Sequence, residues 1–294
     1  MSAKPGAPPA TRTVVLITHG QPAQTTAAVE TAVRAAGSAS VDLVVTAEEA
    51  GKHGDVGSNL KRVEGLPDRP DLCLALGGDG TILRALRRYS GTGVPVFGIN
   101  FGTIGFLAAV EREDVEDGLR RAFAREFDVV QLPGLGADLD VERPVALNDI
   151  SFIRRPHGRV AELSYRLGGE EIGHVRCDGL VAATPVGSTG YNLANQGPIL
   201  AWGVEGFVVS FIAPHTLTAR PLVVAPDDVL HVSNERGREP VEIAIDGAPA
   251  GELASGAELA VGFRHRAASL AQIPGTNFYR RMREKFGRLA GRAG

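Results

Sequence analysis

The chain has 294 residues, 44% of them hydrophobic, enough to bury a sizeable core in one or two domains. A net charge of −3 gives no bulk attraction to nucleic acid, and no apolar run approaches membrane-spanning length. The two cysteines, Cys73 and Cys177, lack C-x-x-C spacing and fit buried thiols in a reducing compartment, so we expect a cytoplasmic protein with no nucleic-acid or membrane partner.

Met1–Thr11, rich in Pro and Ala, reads as a disordered tail. The apolar segment that follows, Val14–Thr18, is too short for a signal-peptide core and reads as a strand. Thr25–Ala36 is a predicted helix ended by Gly37, and Val41–Thr46 a predicted strand. Ala50–Leu66 is polar and glycine-bearing, the pattern of a mobile loop. Leu72–Leu76 reads as a strand, Ile82–Tyr89 as a helix, Pro95–Asn100 as a strand and Asp114–Phe127 as an amphipathic helix. Short apolar strands alternating with helices imply βαβ units, so residues 12–127 are expected to form an α/β, Rossmann-like domain with a parallel sheet.

From about Asp128 the pattern changes to short β-like runs punctuated by Gly, Pro, Asn and Asp. They are Leu147–Ile153, Arg159–Leu167, Leu180–Ala183, Phe207–Ile212, Leu222–Val224, Val229–Val232, Val241–Ile245, Glu258–Phe263 and Ala268–Ile273. Residues 128–275 therefore read as a β-rich second domain. The remainder, 276–294, reads as a C-terminal helix and tail. Its helical stretch Asn277–Leu289 is strongly basic, which suits a solvated face or an interaction surface.

The most informative stretch is Leu76-Gly77-Gly78-Asp79-Gly80-Thr81, set between a strand and a helix. Glycines let the backbone bend sharply and approach a ligand, and free N–H groups at a helix start suit phosphate. A carboxylate among such amides is awkward unless it takes a proton or holds a metal. This is the arrangement of a phosphoryl-transfer site centred on Asp79. The same letters also suit an ordinary tight turn with an N-capping Asp or Thr. Neither a Walker loop nor a dinucleotide fingerprint is present: Gly51-Lys52 has Thr46 and His53 at the required flanks, and Ile82 breaks the second pattern.

Two further segments carry chemistry. Thr184-Pro185-Val186-Gly187-Ser188-Thr189-Gly190-Tyr191 combines a tight backbone with hydroxyls and an aromatic able to stack on a flat ring. Val186 rules out a G-x-S-x-G elbow at Ser188. Asn148-Asp149 offers donors and acceptors of the kind ribose hydroxyls need, although an Asx turn opening the strand explains the pair better when it is taken alone. The seven histidines show no H-x-x-x-H or H-x-H spacing, so a His-built zinc site is not expected.

Taken together these segments resemble the ATP-NAD kinases. The family's G-G-D-G-T stands at Gly77–Thr81, and its D-G followed by T-P-T-G-S-T-A-Y is matched by Asp178-Gly179 and Thr184–Tyr191. Its N-E pair appears as Asn148-Asp149, and its G-I-N-x-G-x-L-G-F-L as Gly98–Leu107. Pro214–Leu217, Arg220–Leu222, Asp246-Gly247 and Phe278–Arg280 are similar too. The resemblance implies transfer of the ATP γ-phosphoryl group to the adenosine ribose 2′-hydroxyl of NAD. Asp79 would be the general base, Gly78 and Gly80 would bring backbone amides near phosphates, and Thr81 would belong to the same binding set. Asn148 and Asp149 would hold the NAD ribose or neighbouring adenine, while Thr189, Gly190, Tyr191, Asn192, Leu193 and Ala194 would line the adenosine pocket. Arg84, Arg159, Arg176, Asp178, Ala213 and Asp246 match further ligand-contacting positions. The resemblance also implies ATP, a divalent ion such as Mg²⁺ with ligands unknown, and a homodimer or homotetramer. Departures are Asp149 for Glu, Val186 for Thr, Gly190 for Ala, Gln196-Gly197 for Gly-Gly, and Ala248 for a polar residue. The glycine turn alone would equally suit a lipid kinase of the diacylglycerol or sphingosine type, and the fold could serve a non-catalytic nucleotide-binding regulator.

Overall fold

A computed structural model describes residues 13–102, 105–141, 144–235, 237–276 and 278–290. The expected tail and the Thr103-Ile104 step of the Gly98–Leu107 segment lie outside them. The chain divides into two units, one made of residues up to Val130 with those from Ala268 onward, the other of Gln131–Ala267.

In the first unit the chain runs β1 (Thr13–Thr18), α1 (Thr26–Ala39), β2 (Asp42–Thr46), α2 (Ala47–Gly51), α3 (Gly54–Ser58) and β3 (Lys61–Val63). There follow β4 (Leu72–Gly77), α4 (Asp79–Arg88), β5 (Pro95–Asn100), β6 (Val110–Glu111) and α5 (Val115–Ala124). β7 (Asp128–Ala137) leads into the second unit, with β8 (Val145–Ala146), β9 (Asp149–Arg154), β10 (Ala161–Leu167), β11 (Glu170–Cys177), β12 (Gly179–Ala183) and α6 (Tyr191–Ala194). β13 (Phe207–Ile212), β14 (Leu222–Val224), β15 (Leu230–Ser233), β16 (Val241–Ile245) and β17 (Ala248–Leu253) complete it. β18 (Glu258–Gln272) begins in the second unit and ends in the first, to which α7 (Phe278–Ala290) also belongs. Residues 268–275, expected in the β-rich domain, thus lie with the α/β unit.

The first unit is built on a parallel sheet in the order β3-β2-β1-β4-β5, with Ser269–Ala271 of β18 parallel to β5. β4 is buried along its whole length, as its unbroken run LCLALG requires of a strand covered on both faces. Helices α1 and α5 add Val29, Ala32, Leu119 and Phe123 to the core. The strand order reverses between β1 and β4, whose carboxyl ends meet where the His19 N–H donates to the Leu76 carbonyl at 2.9 Å. Ligands of open α/β sheets bind at such a reversal.

Two local expectations are overturned. Helix α1 passes through Gly37 and ends at Ser40, which takes a left-handed conformation with φ 56°. One exposed glycine costs a helix only about 1 kcal/mol, too little to stop it. Ala50–Leu66, expected to be a mobile loop, contains α3 and β3 and packs closely. A Cβ on Gly57 would overlap the Ala50 carbonyl, and Ala50, His53, Gly57 and Leu60 are buried.

The second unit is a sandwich. One antiparallel sheet runs β14-β13-β12-β9-β16-β17, and the other joins β11-β10-β15 to the first part of β18. Phe152, Leu180 and Val209 from the first sheet share one core with Leu163, Val232 and Val261 from the second. No helix among the described residues is long and apolar enough to cross a membrane.

Candidate active site

In the first unit, β4 delivers the glycine turn to the sheet reversal. Gly78 is the extended N-cap of α4, and Asp79 is its first residue. The close packing explains the glycines. A Cβ on Gly77 would overlap the Thr81 side chain, and one on Gly102 would stand 3.1 Å from the Gly78 Cα. Gly80 is exposed and faces open space. Thr81 is buried against Gly77.

The Asp79 carboxylate is gripped on both oxygens. The Phe106 N–H donates to Oδ2 at 2.8 Å and the Leu107 N–H to Oδ1 at 3.0 Å. Burial raises its pKa, while those two N–H groups and the charges of Arg281 and Lys285 pull it back. The result is a carboxylate of heightened basicity that retains groups favouring its ionised form. Arg84, predicted to contact ligand, donates to the Thr18 carbonyl at 2.7 Å and so ties α4 to the end of β1. Beside the turn, a cavity of about 850 Å³ is lined by Asn100, Phe101, Gly102, Glu111 and Lys285.

In the second unit, Asp246 organises the Asn148-Asp149 pair. It follows β16 with φ 49°, and its Oδ1 accepts N–H bonds from Leu147 at 3.0 Å, Asn148 at 2.6 Å and Asp149 at 3.2 Å. The turn after β12 is keyed to the same pair. Thr184 donates through its N–H to the Asn148 carbonyl and through its hydroxyl to the Leu147 carbonyl, at 2.8 and 2.6 Å. A Cβ on Gly187 would overlap the Asn148 carbonyl. No hydrogen bond occupies the side chains of Asn148 and Asp149 among the described residues. Burial, reinforced by the Asp246 charge, pushes the Asp149 carboxyl up to about 7.

The Thr189–Ala194 stretch divides into exposed and structural positions. Tyr191 is 37% exposed, and the charges of Asp149 and Asp178 act on its phenol. Gly190 and Ala194 are exposed, Leu193 is half-buried, and Thr189 donates to the Val186 carbonyl at 3.2 Å. Asn192 is fully buried, with its amide spent on the Ser188 and Pro198 carbonyls, so it holds the turn instead of lining it. Ser188, likewise buried, bonds Pro185 and Leu200.

Asp178 and Ala213 lie side by side, since the Asp178 N–H donates to the Ile212 carbonyl at 2.8 Å. Arg159 and Arg176 come together in a cavity of about 650 Å³, joined by Arg154, Arg155 and Arg238. Arg154 donates to Asp178 at 2.6 Å. Sequence reasoning missed Arg154 and Arg238, as well as the Phe106 and Leu107 amides that hold Asp79. Arg154 follows the predicted strand Leu147–Ile153 and closes β9, and its charge was the available signal; backbone donors leave none.

A model of the ATP-NAD kinase N-terminal domain matches residues 17–127, and one of the C-terminal domain matches 147–272. The NAD kinase of Rhodopirellula baltica is 37% identical over 225 residues, covering 74% of this chain and 71% of that protein. The NAD kinase of Gemmatimonas aurantiaca is 35% identical over 234 residues, covering 76% and 80%. Among solved structures, an Archaeoglobus fulgidus NAD kinase in complex with ATP aligns with a TM-score of 0.72 at 25% identity, covering 95% of this chain and 98% of that one. Yeast NADH kinase complexed with NADH has the same fold, with a TM-score of 0.80 at 21% identity over 100% of this chain and 94% of that one. Both parts of the chain, the glycine turn with its gripped carboxylate and the Asn148-Asp149 turn of the sandwich, fall within the matched regions, and the chain belongs to the ATP-NAD kinase family.

Proposed function

We propose that the chain transfers the γ-phosphoryl group of ATP to the 2′-hydroxyl of the adenosine ribose of NAD, with Asp79 as the general base. The observation that carries this reading is the Asp79 carboxylate, raised in basicity by burial yet anchored by two backbone N–H groups. A ribose hydroxyl is a weak nucleophile until a positioned base accepts its proton. Asp79 takes that proton as the ribose oxygen attacks the γ-phosphorus. The bond from phosphorus to the β,γ-bridging oxygen breaks, and its electron pair leaves with ADP. Most of the catalysis then rests on positioning and charge neutralisation. The free N–H groups at the start of α4 and the small glycines before it suit the phosphates.

NAD recognition falls to the second unit. The side chains of Asn148 and Asp149 make no hydrogen bond among the described residues, and near neutral pH Asp149 can both donate to and accept from ribose hydroxyls. Tyr191 offers a half-exposed ring to adenine. The match over 147–272 takes in both segments, which the lipid-kinase alternative leaves without a role.

The donor set fits a divalent ion carried on the nucleotide. No three His, Cys, Asp or Glu side chains gather to cage a metal among the described residues. Mg²⁺ is commonly held largely by substrate phosphates, and here it would arrive on the phosphates of ATP, leaving Asp79 to act as the base. When bound, the ion supplies neutralisation of phosphate charge. We also infer a cytoplasmic enzyme, supported by the buried free thiols of Cys73 and Cys177. A homodimer or homotetramer is supported by the exposed apolar Leu217, Leu222 and Val223. The test of the activity is purified protein with ATP, Mg²⁺ and NAD: NADP should form. Phosphorylation of a lipid without NADP would overturn the proposal.

A further inference from the structure

The groups that hold Asp79 are themselves held by the C-terminal helix. The Leu107 N–H donates to Asp79, and the Leu107 carbonyl accepts from Gln272 Nε2 at 2.9 Å. Gln272 Oε1 in turn accepts from the Arg281 guanidinium on α7. Gln272 is 2% exposed and Arg281 6%, so this relay runs through protein interior. The second donor to Asp79 is braced by the same helix, because the Phe106 ring packs on Phe286 with centroids 5.4 Å apart. A buried guanidinium is costly to place in a core unless its bonds serve a purpose.

We propose that Arg281 is a positioning residue for the transfer reaction: through Gln272 and the Leu107 peptide it fixes the direction in which the Asp79 carboxylate points. This rests on Asp79 acting as the general base. The relay gives α7, whose basic composition suggested only a solvated face or an interaction surface, a place in the catalytic machinery. Its charge adds to its geometry. Arg281 and Lys285 of α7 both favour ionised Asp79, while Glu111 and Glu284 face Arg281, and Lys285 pairs with Glu111 at 2.9 Å. Removing Arg281 therefore raises the pH at which Asp79 loses its proton.

The test compares Arg281→Met, Arg281→Lys, Gln272→Leu and Asp79→Asn in the full chain, with kcat and KM measured across pH and folding checked by thermal melt. Arg281→Met should lower kcat about 10–100-fold near neutral pH, the scale of a displaced catalytic group. Its acid limb in kcat/KM should move to higher pH, so that activity recovers as pH rises, while KM for NAD stays within about twofold. Arg281→Lys should keep the limb near its original position. Gln272→Leu should lower kcat without moving the limb. An unmoved limb and unchanged kcat in Arg281→Met, beside an inactive Asp79→Asn, would overturn the positioning role alone. Should Arg281→Met fail to fold, an unchanged kcat in Gln272→Leu overturns it equally. A fully active Asp79→Asn would overturn the general-base reading and this inference with it.

Discussion

Asp149→Asn should flatten the dependence of stability on pH. Asp149 is 6% exposed and accepts no side-chain hydrogen bond among the described residues, so its charged form is costly. Burial and the Asp246 charge set its folded pKa at about 7, against an unfolded value of about 3.9. The folded state therefore keeps the proton to higher pH than the unfolded state. Its contribution to stability is complete below about pH 3.9 and is lost as pH rises through the folded value of about 7. Linkage between the two values gives a loss of about 3 kcal/mol from about pH 5 to about pH 8. Asparagine keeps the shape and does not titrate. Urea unfolding of both proteins across that interval measures the slope directly. Wild type should lose about 3 kcal/mol more than the variant over it. Parallel curves would show that Asp149 is ionised throughout the range, and the burial argument would be wrong.

Asp246→Ala should destabilise the protein by about 3–5 kcal/mol, because three backbone N–H groups lose a charged acceptor at once, and Asp246→Asn should cost less, which denaturant titration of the two variants separates. Tyr191→Ala should raise KM for NAD more than KM for ATP, as steady-state kinetics with each substrate varied will show; an unchanged KM for NAD would make the ring structural. EDTA should stop NADP formation and added Mg²⁺ restore it, without shifting the thermal midpoint, since the described residues hold no cage for the ion.

The parallel sheet was legible because β1, β4 and β5 are short apolar runs, and Gly77–Thr81 announced the strand-to-helix turn. Two of the missed strands share a physical reason. β11 carries Glu170, Glu171, His174 and Arg176 on the edge of its sheet, where charge is tolerated and blurs alternation. β17 contains Pro249 and Gly251, which an edge strand also admits. β18 was read as two runs because Arg264-His265-Arg266 interrupts it. Its burial alternates at first and then becomes continuous, as one strand leaves an antiparallel sheet for a parallel one. Asp79, Asn148 and Tyr191 could be named from local letters. Gln272 and Arg281 could not, since their relation to Asp79 spans about two hundred residues of chain and passes through a peptide group.

The central claim is that Asp79 accepts the ribose proton, and Asp79→Asn tests it most directly. The variant keeps the shape of the turn and removes the base. NADP formation should fall about 10²–10⁴-fold in kcat, the range for a lost general base. NAD affinity by calorimetry and the thermal midpoint should change little, because the groups assigned to NAD lie in the second unit. A variant that retains more than about a tenth of the wild-type kcat would contradict the assignment.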